Sequence, residues 1–291
     1  MNSTKPCHMR IIGVISLPFL VCILTSSAEL AAQIPGFKNI HWIRNKVSAG
    51  LIWKSSHTNH ESLGPQNINM LLVNLRKREV SLHYDSERNL TVDKQVLSTD
   101  VLAAVNAGFF NVKEGGSVTY IRTDGKIQES DTAKKWRRNA NMNGSILIST
   151  KGELTIEESH TNNWYDDHAI FPDVLLTGPL LLKEKHKTVL PETSLVKLRH
   201  PRTAIGARGK NRILLITVDG RTESASGMTL GELSDLMVSL RCRDAINLDG
   251  GGSTTMWVRN EPYYGIVNMP CDNKKFDHEG ARAVSDIIIV R

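Results

Sequence analysis

In the stretch NLDGGGSTTM, Asn247–Met256, Asp249 is followed at once by Gly250, Gly251 and Gly252, and then by Ser253, Thr254 and Thr255. Glycines in succession lose much conformational entropy on folding, so their place between an acid and three hydroxyls needs a reason. Without side chains, backbone N–H groups can approach an anion directly, and the chain can turn sharply. Joined to a carboxylate and hydroxyl donors, such a turn suits a phosphate or a sugar hydroxyl beside a catalytic or metal-binding acid. A purely structural turn fits the same letters. No Gly-Lys-Ser/Thr follows, which excludes a P-loop, and G-x-G-x-x-G spacing is absent.

Further polar positions could act with that turn. HPRTAIG, His200–Gly206, puts Arg202 at the start of one strand, and DGR, Asp219–Arg221, ends the next. A planar guanidinium pairs bidentately with phosphate oxygens, so Arg202 and Arg221 on one edge would clamp an anion. Each could equally partner Asp219 or Asp249, because a buried carboxylate needs one. NAGFF ends another apolar run; Asn106 could bond a sugar hydroxyl, while Phe109 and Phe110 suit the core. HTNNWYDDH, His160–His168, matches no zinc spacing and reads as a surface loop. No Ser-His-Asp elbow of the G-x-S-x-G kind is present.

The elements that must position these residues are mostly strands. INMLLVNL, EVSLHY, SVTYIR, SILIST, ELTIEE, RILLITV, DAINL and VSDIIIV are short runs rich in Val, Ile and Leu, parted by turns such as TDGK and TKGE. Helical pattern is clearest in Thr229–Leu240, where Thr229 and Glu232 make a capping box and Leu233, Leu236, Met237 and Leu240 one apolar face. Asp93–Ala104 is a second candidate. The strand Ile213–Val218 ends at Asp219 and the strand Ala245–Leu248 at Asp249, with the capped helix between. Strands joined through a helix are expected as parallel neighbours, which would bring Asp219 and Asp249 together at one edge.

The 291 residues are 40% hydrophobic and 23% charged, a globular composition. Lys5 and Arg10 precede the apolar run Ile11–Leu24 and the small residues Ser26, Ser27 and Ala28, the order of a secretory signal at 1–28. The run is short for a bilayer span of about 20 residues, so no stable membrane span is expected after cleavage. The formal charge of +6 suits an anionic ligand without demanding one. The basic cluster Lys134–Arg138 reads as a solvated loop, and no nucleic-acid module is present. Cys242 and Cys271 remain in the mature chain, as one disulfide or as two buried thiols.

NAGFF, TGPLLL, HPRTAIG, TVDGR, SGMTLGELSDLM, NLDGGGSTTM and the closing RAVSDIIIV, in this order, resemble the phosphodiester glycosidase family. Family members often have glycine where this chain has Ala107, a change that costs little if the backbone there is not left-handed. The resemblance implies a domain over 29–291. It implies an α+β or α/β single domain, with a mixed β-sheet flanked by helices and N-terminal antiparallel strands. It also implies hydrolysis between the anomeric carbon of a sugar, N-acetylglucosamine first, and a phosphodiester oxygen. Arg202 and Arg221 would then hold the phosphate. The amides of Gly250, Gly251 and Gly252, with Ser253 and Thr254, would support it or the sugar. Asp249 would activate water or act as nucleophile, with Asp219 the second carboxylate. Asn106 and Thr203 would orient the sugar or neighbouring side chains. A divalent cation on these aspartates stays open, as does the oligomeric state. The substrate is expected to be a sugar phosphodiester or glycan. The protein is expected to be exported, periplasmic or extracellular, from a bacterium; some bacterial members are associated with exopolysaccharide. Two other readings stand beside this one: a metal-dependent phosphodiesterase and a non-catalytic binder of glycan phosphates.

Overall fold

Arg212–Val218 shows why the apolar runs become strands. Ile213 and Leu215 enter one hydrophobic cluster while Leu214, Ile216 and Val218 enter another, so alternate side chains serve opposite faces of one buried sheet. The computed structural model describes residues 1, 37, 40–85, 90–96, 100–129 and 140–291. The chain divides into two compact units, Met1–Gln33 and Ile34–Arg291, and every element below belongs to the second. The expected signal, beyond Met1, and the cluster Lys134–Arg138 lie outside the described residues.

Among the described residues the strands form three sheets, with antiparallel pairing throughout. The largest has the order β1 (Ile43–Ser48), β2 (Leu51–His60), β3 (Gly64–Asn74), β14 (Arg212–Val218), β13 (Arg202–Ala207), β15 (Asp244–Asn247), β11 (Leu180–Lys183), β12 (His186–Lys187). Its β1–β2–β3 portion is the expected N-terminal antiparallel meander. The second runs β7 (Lys126–Glu129), β6 (Ile121–Thr123), β10 (Asp173–Thr177), β8 (Gly144–Ile148), β9 (Leu154–Glu158). The third runs β16 (Met256–Val258), β5 (Ala103–Asn106), β17 (Asp286–Val290), β4 (Val80–Tyr84). TDGK is a two-residue hairpin between β6 and β7, with Asp124 and Gly125 both at positive φ, as such a turn demands.

The inner faces of all three sheets meet in one core: Leu71, Ile205 and Leu215 from the first, Ile146 and Leu175 from the second, Val105 and Ile288 from the third. Each such fully buried side chain contributes about 1.5–3 kcal/mol. Each outer face has its own cover. Helix α4 (Leu230–Ser239) lays Leu230, Leu233, Leu236 and Met237 on the large sheet, joined by Val196 of α3 (Ser194–Lys197). Val92 of α1 (Val92–Gln95) packs on Ala104, Ile287 and Ile289, and Tyr165 of α2 (Asn162–Asp167) on Leu147, Val174 and Leu176. The capping box of Thr229 and Glu232 is present. This is an α+β fold of antiparallel sheets flanked by helices.

Three local expectations change. Strands β14 and β15 do run the same way, but both pair antiparallel with β13, which lies between them. The helix expected over Asp93–Ala104 is only Val92–Gln95 in its described part, and Ala103 and Ala104 are already in β5. His160–His168 contains the short helix α2, capped by Thr161, with the Trp164 ring stacked between those of His160 and His168 at 3.8 and 3.9 Å. Cys242 and Cys271 are buried free thiols.

Candidate active site

The ends of β5 and β15 and the starts of β13 and β17 converge on Asp249. Its N–H donates to the Ala107 carbonyl at 2.9 Å, and its own carbonyl accepts from Asn106 Nδ2 at 2.6 Å. Asn106 Oδ1 accepts from the Thr203 hydroxyl at 2.7 Å and from the Thr255 N–H at 3.1 Å. Asn106 and Thr203 are fully buried, and the Asn106 amide bonds to three partners within the protein. Of the two roles expected for them, orienting neighbouring groups is the one this geometry allows. Asn106 pins the third sheet to the large one at the residue before the glycines.

The glycines are explained by what lies on them. A Cβ on Gly250 would stand 2.6 Å from the Pro201 carbonyl oxygen. Gly251 has φ +62°, and a Cβ there would come within 3.0 Å of the Arg221 guanidinium. A Cβ on Gly252 would overlap the ion pair of Asp272 and Arg282. The Gly250 N–H donates to Asp249 Oδ1 at 2.9 Å and the Gly251 N–H to the Pro201 carbonyl at 2.9 Å. Those two amides are committed within the chain rather than aimed at a ligand. The run admits two arginine head groups to the backbone beside an acid.

Asp249 is half-buried, and burial pushes its carboxyl up to about 6. The Ser253 hydroxyl, the Gly250 N–H and the charges of Arg282 and Arg221 act in the opposite direction. Ser253 Oγ makes no hydrogen bond of good geometry, so its effect is one of proximity. Arg221 is exposed, in left-handed backbone at φ 66°, with one terminal nitrogen 3.3 Å from His200 Nδ1. Arg282 holds Asp272 through two bonds of 2.7 Å. Thr254 and Thr255 hydroxyls, like that of Ser253, are buried without a hydrogen-bond partner among the described residues.

Two expected residues prove to be placed for other work. Arg202 is 1% exposed and gives Nε to the Met228 carbonyl at 2.8 Å and one terminal nitrogen to those of Leu195 and Leu198 at 2.7 and 2.8 Å. Three backbone carbonyls thus occupy much of the fork that was to clamp a phosphate. Asp219 is also 1% exposed; Oδ2 accepts from Asn67 at 2.6 Å and the Met269 N–H at 2.9 Å, and Oδ1 from Asn268 at 2.8 Å. With β13 between their strands, Asp219 and Asp249 are roughly 10 Å apart by strand spacing. Burial raises Asp219 to about 6, but its oxygens are already held.

The carboxyl beside Asp249 is instead Asp286, the first residue of β17. The Ala107 N–H donates to its carbonyl at 3.1 Å, so Ala107 is bonded to both aspartates, and the Gly108 N–H donates to Asp286 Oδ1. Ala107 is not at positive φ, which is why alanine fits there. Asp286 and Arg282 were missed as site residues, although RAVSDIIIV contains both. An acid inside an otherwise apolar strand was the available signal. Among the described residues no three His, Cys, Asp or Glu side chains gather to hold a metal. No described helix is long and apolar enough to cross a membrane.

A half-buried acid flanked by two arginine head groups on a glycine turn has the chemistry to hold an anionic ligand beside a proton acceptor. The chain belongs to the phosphodiester glycosidase family, whose model matches residues 99–291. It is 25% identical over 196 residues to human N-acetylglucosamine-1-phosphodiester alpha-N-acetylglucosaminidase, covering 65% of this chain and 37% of that protein. It is 44% identical over 108 residues to the SPbeta prophage-derived uncharacterized protein YomE of Bacillus subtilis (strain 168), covering 33% and 17%. The chain thus spans well under half the length of either relative. Its fold is that of the zebrafish N-acetylglucosamine-1-phosphodiester alpha-N-acetylglucosaminidase catalytic domain, with TM-score 0.64 at 20% identity over 87% of this chain and 82% of that one. A hypothetical protein from Synechocystis is similar at TM-score 0.62 and 13% identity over 87% and 64%.

Proposed function

We propose that this chain hydrolyses a sugar-1-phosphodiester at the bond between the anomeric carbon and the bridging oxygen, with N-acetylglucosamine the sugar to try first. The observation that carries the reading is Asp249, half-buried beside Arg221 and Arg282 where the glycines let both arginines approach. The human relative's name supplies the sugar. The exposed Arg221 receives the phosphodiester, and Arg282 adds its charge from the Asp272 pair. Water attacks the anomeric carbon, Asp249 takes its proton, and the C–O bond breaks toward the phosphate. A phosphate monoester leaves readily, so stabilising the oxocarbenium-like centre and the departing charge matters more than strong acid assistance. The order of residues 1–28 supports an exported enzyme, periplasmic or extracellular.

Turnover of UDP-N-acetylglucosamine and of a methyl N-acetylglucosamine phosphodiester, in isotopically labelled water with and without chelator, tests this. Wild type should release sugar labelled at its anomeric hydroxyl, and Asp249→Asn should lose on the order of 10²–10⁴-fold in kcat. Label in the phosphate would overturn C–O cleavage in favour of a phosphodiesterase, and loss of activity with chelator would bring in a metal. Binding without turnover in either protein would point to a non-catalytic binder.

A further inference from the structure

We propose that Asp286 is the proton-holding partner of Asp249: the two carboxyls keep one proton between them, carried on Oδ2 of Asp286 while Asp249 stands at the site as the anion. This rests on Asp249 being the base of the proposed hydrolysis. The geometry is set by Ala107, whose N–H is bonded to the Asp286 carbonyl and whose carbonyl is bonded to the Asp249 N–H. The next residue, Gly108, donates to Asp286 Oδ1, which identifies that oxygen as an acceptor. Oδ2 has no hydrogen-bond partner among the described residues, and the residue is 1% exposed. An ionised carboxylate left so poorly bonded in the interior is costly, whereas the neutral acid has no charge to desolvate and keeps Oδ1 as the acceptor of the Gly108 N–H.

The surroundings are asymmetric. Around Asp249 stand Arg282, Arg221, the Ser253 hydroxyl and the Gly250 N–H, all favouring its anion. Arg282 is itself shared with Asp272, and the Cys271 thiol faces Arg221 and Arg282. Asp286 has the Gly108 N–H and the charge of Asp249, and no cation among the described residues acts on it. Its partner across β4, Tyr84, sends its hydroxyl to Glu129 instead. Burial first, and then the charge of Asp249, push Asp286 up to about 7. Two interacting buried carboxyls give up their protons in two separated steps, and the cations direct the first loss to Asp249. Asp286 thereby acts as a positioning residue that stays neutral while Asp249 ionises, so that one carboxylate charge, not two, stands beside the anionic ligand.

The test is a carboxyl-carbon NMR titration of the full chain labelled at aspartate, for wild type, Asp286→Asn and Asp249→Asn. Asparagine at 286 can still accept the Gly108 N–H. The expected result is that Asp249 keeps its midpoint in Asp286→Asn, where a neutral amide replaces a neutral acid, and that Asp286 moves down by about one pH unit in Asp249→Asn. An Asp249 midpoint that falls in folded Asp286→Asn overturns the proposal, because Asp286 would then be the first of the two to ionise. If that variant does not fold, an Asp286 midpoint unmoved in Asp249→Asn overturns it equally. The pH profile of kcat is recorded alongside and should keep its acidic limb in place in Asp286→Asn. Absence of turnover in wild type would count against the hydrolase reading, and the titrations would still decide the pairing.

Discussion

At the scale of residues, the three glycines make a sharp prediction because each answers to a different neighbour. Gly252→Ala must displace Asp272 and Arg282, whose ion pair occupies the space of a Cβ, whereas Gly231→Ala on α4 meets nothing closer than 3.8 Å. Gly252→Ala should therefore lower kcat/KM at least tenfold and destabilise by about 1–3 kcal/mol through overpacking, while Gly231→Ala leaves activity unchanged. Steady-state kinetics with chemical denaturation on both variants checks this; wild-type kinetics in Gly252→Ala would show that Arg282 plays no part in the site. The position of Asp249 was legible in the sequence, since an acid before a glycine run must face something that needs the backbone clear. What needs it was not legible. Arg282 is 30 residues from Gly252 in the chain and carries no local pattern of its own. Arg202 misled for a physical reason: an arginine opening a strand looks the same whether its fork meets a ligand or, as here, backbone carbonyls.

At the scale of elements, the site depends on how sheet ends are tied together. Asn106 closes β5 onto both β13 and the segment after the glycines. Asn106→Ala would leave the Thr203 hydroxyl, the Thr255 N–H and the Asp249 carbonyl each without that partner in a buried place. Losing such bonds costs about 1–3 kcal/mol per unsatisfied group, so a loss of several kcal/mol is expected, with kcat falling together with stability. Asn106→Asp keeps an acceptor for Thr203 and Thr255 but loses the donor to Asp249, and should fall between wild type and alanine. Equal stability of all three proteins in urea melts would remove Asn106 from this role. The strands themselves were legible from their apolar runs and turn residues, and α4 from its capping box. Their neighbours were not. Crossing a helix between β14 and β15 correctly gave two strands pointing the same way, but nothing local reveals that the earlier β13 is inserted between them. That insertion moves Asp219 away from Asp249 and leaves room for Asp286.

At the scale of the whole molecule, three sheets with apolar inner faces close on one core. Strands β14 and β17 are buried on both sides, and their runs RILLITV and DIIIV lose the alternation that would mark a solvent face. Fold class survives that loss of signal; sheet order does not. The same closure buries acids, and this sets how stability should vary with pH. Asp219 and Asp249 are raised to about 6 and Asp286 to about 7, in each case chiefly by burial. An unfolded aspartate titrates near ~3.9, so between about pH 4 and 7 the folded chain holds protons that the unfolded chain has released. Their contribution to stability is therefore full below the unfolded value and is lost as pH rises through the folded values. Unfolding free energy from urea melts should decline by a few kcal/mol from about pH 4 to pH 7.5. Asp286→Asn, which cannot ionise, should flatten that decline most, because Asp286 has the highest value of the three. A free energy that rises across this window, or a slope unchanged in Asp286→Asn, would mean that the acid on β17 ionises inside the fold with stabilisation from a cation that its described surroundings do not contain.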